Sequence, residues 1–117
     1  MARKDEVGRW GEELARRWLE RQGWRIVDVN WRCPSGEVDI VAARDGALVF
    51  FEVKTRTSTR FGHPLEAISA AKLARMRRVA GAWLAANPTH RGRIRLDLLA
   101  ILTGPGTPEV EHVEAVG

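Results

Sequence analysis

Gly36-Glu37-Val38-Asp39-Ile40-Val41-Ala42-Ala43-Arg44-Asp45-Gly46-Ala47-Leu48-Val49-Phe50-Phe51-Glu52-Val53-Lys54 is the stretch that decides how this sequence is read. Val38, Ile40 and Ala42 alternate with Asp39, Val41 and Ala43, Asp45-Gly46 is a two-residue turn signal, and residues 48–54 form a second apolar run. The pattern predicts a β-hairpin. With Asp45 and Gly46 at the centre of the turn, Arg44 opposes Ala47, Asp39 opposes Glu52 and Glu37 opposes Lys54. The two-residue period of a strand puts these four charged residues on one face. Directly opposed side chains have Cβ atoms roughly 4.5–5.5 Å apart, where like charges are destabilising. Either a divalent cation held by carboxylate oxygens offsets that repulsion, or one carboxyl takes up a proton, or Lys54 and nearby arginines neutralise the pair. The opposite face, with Val38, Ile40, Ala42, Val49, Phe51 and Val53, is apolar, and Val41 and Phe50 flank the acids. Both faces are therefore expected to be partly covered, which favours a functional site over a solvated charged surface.

Upstream, Val7, Trp10, Leu14, Ala15, Trp18 and Leu19 follow helical spacing over residues 5–22, and Gly23 stands where a helix would stop. At roughly 100° per residue, the apolar stripe runs over Trp10, Gly11, Leu14, Ala15, Trp18 and Leu19. Glu12 falls at its edge, and either reaches from the helix rim toward the hairpin acids or makes a surface ion pair. Glu13 faces outward and is expected to pair with Arg17. Residues 25–31 read as a strand with Val27, Val29 and Trp31 on one face, broken by Cys33-Pro34-Ser35-Gly36. Downstream, residues 55–64 read as a polar loop and residues 65–86 as a second helix, with Leu65, Ile68, Met76, Val79 and Trp83 as its buried stripe. Lys72 sits in the middle of that stripe. Its stem either snorkels past its neighbours or its ammonium points at a phosphate near the carboxylates. Ile94, Leu96, Leu98, Ala100 and Leu102 mark a last long strand, and residues 110–113 a short edge strand within the acidic tail at 103–117.

A chain of 117 residues fits one domain, 1–117, able to bury a core without disulfides or a structural metal. Its 44% hydrophobic and 29% charged residues exclude a disordered chain. Cys33 is the single cysteine, which excludes an internal disulfide and a thiolate zinc cluster within one chain. The first residues lack an apolar signal core, and no apolar run is long enough to span a bilayer, so a cytoplasmic location without a membrane partner is expected. The net charge of +4 hides an asymmetry: residues 54–95 hold ten basic side chains against one acid, Glu66. That stretch is a candidate polyanion-binding surface, with Arg56, Arg60, Lys72, Arg75 and Arg78 assigned to backbone-phosphate contacts. His63, His90 and His112 have no metal-ligand spacing and read as ordinary polar residues. The five tryptophans read mainly as core, with Trp31 a candidate for stacking on a base.

Gly11-Glu12-Glu13-Leu14-Ala15, Asn30-Trp31-Arg32, Gly36-Glu37-Val38-Asp39-Ile40-Val41, Phe51-Glu52-Val53-Lys54-Thr55-Arg56, Phe61-Gly62-His63-Pro64 and Lys72 together resemble the YraN-like family of small bacterial proteins. The resemblance covers most of the chain. A Glu-x-Lys alone carries no information; joined to an aspartate on the partner strand, a preceding Gly-Glu helix and a following basic helix, it is fairly specific. Phe50-Phe51 stands where Phe-Val is usual, a packing change that leaves the charged positions intact. The resemblance implies an α/β, restriction-endonuclease-like fold similar to archaeal Holliday-junction resolvases, a mixed sheet with a central hairpin flanked by helices in the order αβββαβ(β). It implies Asp39 and Glu52 as ligands of Mg²⁺ or Mn²⁺, Lys54 as the cationic catalytic residue and Glu12 as the helix acid.

Two functions follow as expectations. The first is a metal-dependent endonuclease hydrolysing phosphodiester bonds in nucleic acid, with structured or branched DNA as the substrate by analogy. The second is a non-catalytic nucleic-acid-binding module of the same fold, an accessory in DNA repair, recombination or uptake. The acids favour the first, because a pure binder has no need of carboxylates facing a phosphate. Paired cuts on a symmetric junction would require a homodimer, for which the sequence carries no coiled-coil signal.

Overall fold

Asp45 and Gly46 take φ values of 52° and 78°, the left-handed pair that closes a two-residue hairpin turn without splaying its strands. Around that hairpin the computed structural model describes residues 2–56, 68–90, 92–104 and 106–117, and of residues 2–5 and 7 the backbone alone. The elements are α1 (Ala2–Arg21), β1 (Arg25–Cys33), β2 (Gly36–Arg44), β3 (Ala47–Arg56), α2 (Ala70–Ala86), β4 (Arg93–Leu102) and β5 (Glu109–Val113). They give the expected order, helix, three strands, helix and two strands.

The strands form one sheet in the order β1-β2-β3-β4-β5. Three neighbouring pairs are antiparallel and β3 with β4 is parallel. A parallel pair cannot be joined by a tight turn, and α2 lies in the connection between β3 and β4. The sheet carries a core on each face. One packs Ala15 and Leu19 of α1 against Ile40, Val49, Phe51, Leu99 and Ile101. The other packs Val79, Ala80 and Trp83 of α2 against Val41, Leu48, Phe50 and Leu96. Among the described residues no helix is long and apolar enough to cross a membrane.

Helix α1 ends as its sequence predicts, with Trp24 N–H donating to the Leu19 carbonyl and Gly23 N–H to that of Glu20, the paired bonds of a Schellman stop. Glu13 accepts from Arg17 Nε at 3.0 Å, as expected, and also from Arg16. Trp10, expected in the buried stripe, is 42% exposed. The buried stripe is narrower, centred on Gly11, Ala15 and Leu19, and Trp10 lies about 100° to one side of Gly11.

Helix α2 begins at Ala70, later than residue 65, because Ser69 caps it: its hydroxyl accepts from the Lys72 N–H at 3.1 Å. Such a cap is worth about 1 kcal/mol. Ile68 precedes the cap, and Leu65 lies outside the described residues. Strand β1 also departs from simple alternation. A bulge between Ile26 and Asp28, and Asn30 at φ 49°, turn Val29 out to 42% exposure while Val27 and Trp31 pack under α2. Val38 likewise packs on the α2 side instead of with Ile40, just beyond the point where the β2–β3 ladder ends. The acidic tail supplies β5 as an edge strand along β4.

Candidate active site

The hairpin register is the expected one from Arg44↔Ala47 to Ile40↔Phe51, and there it stops. Beyond that pair β2 and β3 part, while β3 stays paired with β4 as far as Arg56↔Leu102. Asp39 and Glu52 are the next residues on the two diverging strands. The Asp39 carboxylate fills the fork: Oδ2 accepts from the Val53 N–H at 2.8 Å, in place of a strand carbonyl. Asp39 is 8% exposed. Burial, then the charge of Glu52, and further those of Glu12 and Glu37, push its carboxyl up to about 8 against the pull of the Val53 bond.

Both acids open into one hollow of about 600 Å³, in the size range of small-ligand sites. The β1–β2 turn at Pro34 and Ser35 forms one wall, and Lys72, Arg75, Met76 and Val79 of α2 form the other. Lys72 is brought to the carboxylates, its Nζ 3.3 Å from Glu52 Oε1. Of the two sequence alternatives, the ammonium points inward. Arg75 shares the wall, its stem lying against Gly36, where a Cβ would stand 3.3 Å from Arg75 Cδ. Arg78 is exposed on the same helix. Lys54 is half-buried on β3, paired in register with Ala100, and among the described residues it forms an ion pair with neither Asp39 nor Glu52. The neighbour that neutralises Glu52 is Lys72 of the helix.

Glu12 approaches from the other side of the sheet. Gly11 lets α1 lie directly on β3: a Cβ there would fall 1.9 Å from Thr55 Oγ1. Glu12, one residue on, lines a second hollow of about 350 Å³ with Arg9, Val29 and Asn30. Burial first, then the charges of Glu37 and Glu52, raise its carboxyl, opposed by a hydrogen bond from Asn30 and the charge of Arg32. The wheel position of Glu12 at the stripe's edge thus leads to the fork, though to the opposite flank from Lys72.

Asn30 and Arg32 were not singled out as site residues from the pattern, yet both serve it. Asn30 holds Glu12 from a left-handed backbone conformation that asparagine tolerates, and Arg32 Nε donates to Glu37 Oε2 at 2.9 Å across the β1–β2 ladder. A polar residue interrupting a strand beside an acid-rich hairpin was the available signal. Arg56 is half-buried, its carbonyl accepting from Thr103 N–H at 2.8 Å, and among the described residues its Nε has no partner. Arg60 and the Phe61-Gly62-His63-Pro64 segment lie outside the described residues. Trp31 packs against the α2-side core, which limits its face for stacking. His112, read as an ordinary polar residue, joins Asp97 and Arg95 in a buried network on β4 and β5.

The profile described as "Uncharacterised protein family UPF0102" matches residues 11–101, a span that includes Glu12, Asp39, Glu52, Lys54 and Lys72. A UPF0102 protein of Beutenbergia cavernae is 51% identical over all of this chain and all of its own length. One from an Arthrobacter species is 52% identical with the same full coverage. A third, from Paenarthrobacter aurescens, is 49% identical over 99% of this chain and 97% of its own. Their names state no activity.

Proposed function

The chain belongs to the uncharacterised family UPF0102, the YraN-like proteins, and from the chemistry at its strand fork we propose that it is a metal-dependent nuclease hydrolysing phosphodiester bonds in nucleic acid. The carrying observation is a pair of carboxylates, Asp39 and Glu52, facing one hollow at the fork, where among the described residues Asp39 has one hydrogen-bond donor and Glu52 one ion-pair partner. Two carboxyl groups brought together in a covered place, one of them raised by burial and by the other's charge, are a fitting place for a cation.

The donor set fits a hard divalent ion. Val53 engages only Oδ2 of Asp39 and Lys72 is paired to Oε1 of Glu52, so among the described residues each carboxylate keeps an oxygen to offer. Among the described residues no three of His, Cys, Asp and Glu converge as ligands. Two carboxylates with waters and substrate oxygens are the usual protein share for Mg²⁺. Held by Asp39 and Glu52, Mg²⁺ or Mn²⁺ would supply Lewis acidity toward water and the phosphate. Lys54, on the strand two residues beyond Glu52, steadies the charge that develops on that phosphate. Glu12, whose carboxyl is raised by burial and by the charges of Glu37 and Glu52, would exchange a proton with a water at the fork. Arg75 and Arg78, with Arg56 at the end of β3 and Arg60, hold the nucleic-acid backbone, which makes binding salt-dependent and weakly selective for sequence.

A second reading is a nucleic-acid-binding module of the same fold without cleavage. The Lys72–Glu52 ion pair favours it, because a neutralised acid can be purely structural. Incubation with linear, single-stranded, flap and four-way DNA and with RNA, in Mg²⁺ or Mn²⁺, decides between them. The proposal expects at least one substrate to be cut by the wild type and left intact by Asp39→Ala and Glu52→Ala, with binding retained. Binding without cutting above the level of these variants replaces it with the second reading.

A further inference from the structure

Lys72 departs from what a buried helix stripe requires. It stands in the first turn of α2, its backbone N–H tied to the Ser69 cap, while its ammonium leaves the apolar stripe to reach Glu52 across the hollow. The two side chains keep only 20% and 19% of their exposure, so the pair is poorly screened by water. Lys72 lies three residues before Arg75 on the helix, and both line the same 600 Å³ hollow. Glu52 thus receives its positive charge from a side chain that belongs to the anion-binding wall and has a flexible four-carbon stem.

We infer that Lys72 is an exchangeable stand-in for the cation: it holds Glu52 until a divalent ion takes that carboxylate together with Asp39, and it then turns to an anionic group of the substrate beside Arg75. This rests on the reading of Asp39 and Glu52 as a cation site. The physical reason is competition. An ammonium 3.3 Å from Glu52 Oε1 repels a divalent ion arriving at the other oxygen of the same carboxylate, so binding of the ion weakens the ion pair and favours release of Lys72. Released, Lys72 stands at helical i,i+3 spacing from Arg75, and the pair faces a hollow whose acids the ion has neutralised. Cation and phosphate binding are thereby coupled, each favouring the other. The chain binds phosphate well only when the cation needed to cut it is in place.

Mn²⁺ titration of the full chain, read by the paramagnetic signal of the free ion, tests the exchange without any turnover. Lys72→Met keeps the stem and removes the charge, and is expected to bind Mn²⁺ about tenfold more tightly than wild type; Lys72→Arg is expected to stay near wild type. In a second arm, a short labelled oligothymidylate is titrated with and without Ca²⁺, which uses the same oxygen donors. Ca²⁺ should tighten binding to the wild type several-fold and to Lys72→Met by much less. Mn²⁺ affinity in Lys72→Met equal to or weaker than wild type, in a variant whose circular dichroism is unchanged, overturns the exchange and leaves the cation site standing. If wild type shows no Mn²⁺ binding that Asp39→Asn removes, the cation site itself fails and the exchange fails with it.

Discussion

Two aspartates are buried in this sheet, and the protein treats them in opposite ways. Asp97, on β4, has no exposure, yet Arg95 donates to both of its oxygens at 2.8 Å, His112 Nε2 lies 2.7 Å away and the Ala115 N–H donates at 3.0 Å. Burial would raise its carboxyl, but those partners outweigh it and hold it below the usual range. Asp39, 8% exposed, has among the described residues one backbone donor and three acidic neighbours, and is pushed up to about 8. A buried acid that is fully partnered is part of the structure. One left short of partners, at the mouth of a hollow, is positioned for something that binds there.

The comparison breaks most sharply at Asp97. Asp97→Ala leaves Arg95 and His112 facing an empty place in the interior, and should cost ~3–5 kcal/mol of stability in urea unfolding at pH 7. A loss below about 1 kcal/mol would mean that the network does not hold β5 and the C-terminal residues in place. At Asp39 the sign reverses. A carboxyl raised in the folded state weakens folding progressively as pH climbs from its unfolded value near 3.9 through about 8. Asp39→Asn keeps an oxygen for the Val53 N–H and should therefore stabilise the metal-free protein at pH 7.5, with the gain disappearing near pH 4. The stability contributed by Asp97 follows the opposite course, fully present above its unfolded value and lost as pH falls through its lowered folded one.

The smallest of the three effects sharpens the comparison from the helix side. Gly11→Ala gains helix propensity but forces a methyl into Thr55, and the net loss should be ~1 kcal/mol. Because the added methyl presses on β3 one residue from Glu12, cleavage should fall more than stability does. Equal cleavage in the variant and wild type would remove Glu12 from the site.

Much of this was legible in the sequence where a local rule acts alone. Asp45-Gly46 dictates the turn and hence the register that brings Asp39 beside Glu52, and the helical wheel puts Glu12 at the rim of its stripe. What the register could not carry was its own end: strands part where tertiary packing draws them apart, so the Glu37–Lys54 pairing does not form, and Glu37 pairs with Arg32 of β1 instead. The partner of Glu52 was equally hidden, because Lys72 meets it through the packing of α2 on the sheet. His112 and Asp97 are 15 residues apart and share no motif; only the β4–β5 pairing joins them.

The central claim is that Asp39 is kept short of partners so that a cation can complete it. Carbon-13 NMR titration of the aspartate carboxyls, with and without Mg²⁺, tests this most directly. The account predicts that Asp39 titrates near 8 without the ion and far lower with it, while Asp97 stays below the usual carboxylate range in both. An Asp39 that titrates in the ordinary range and does not respond to Mg²⁺ would contradict it.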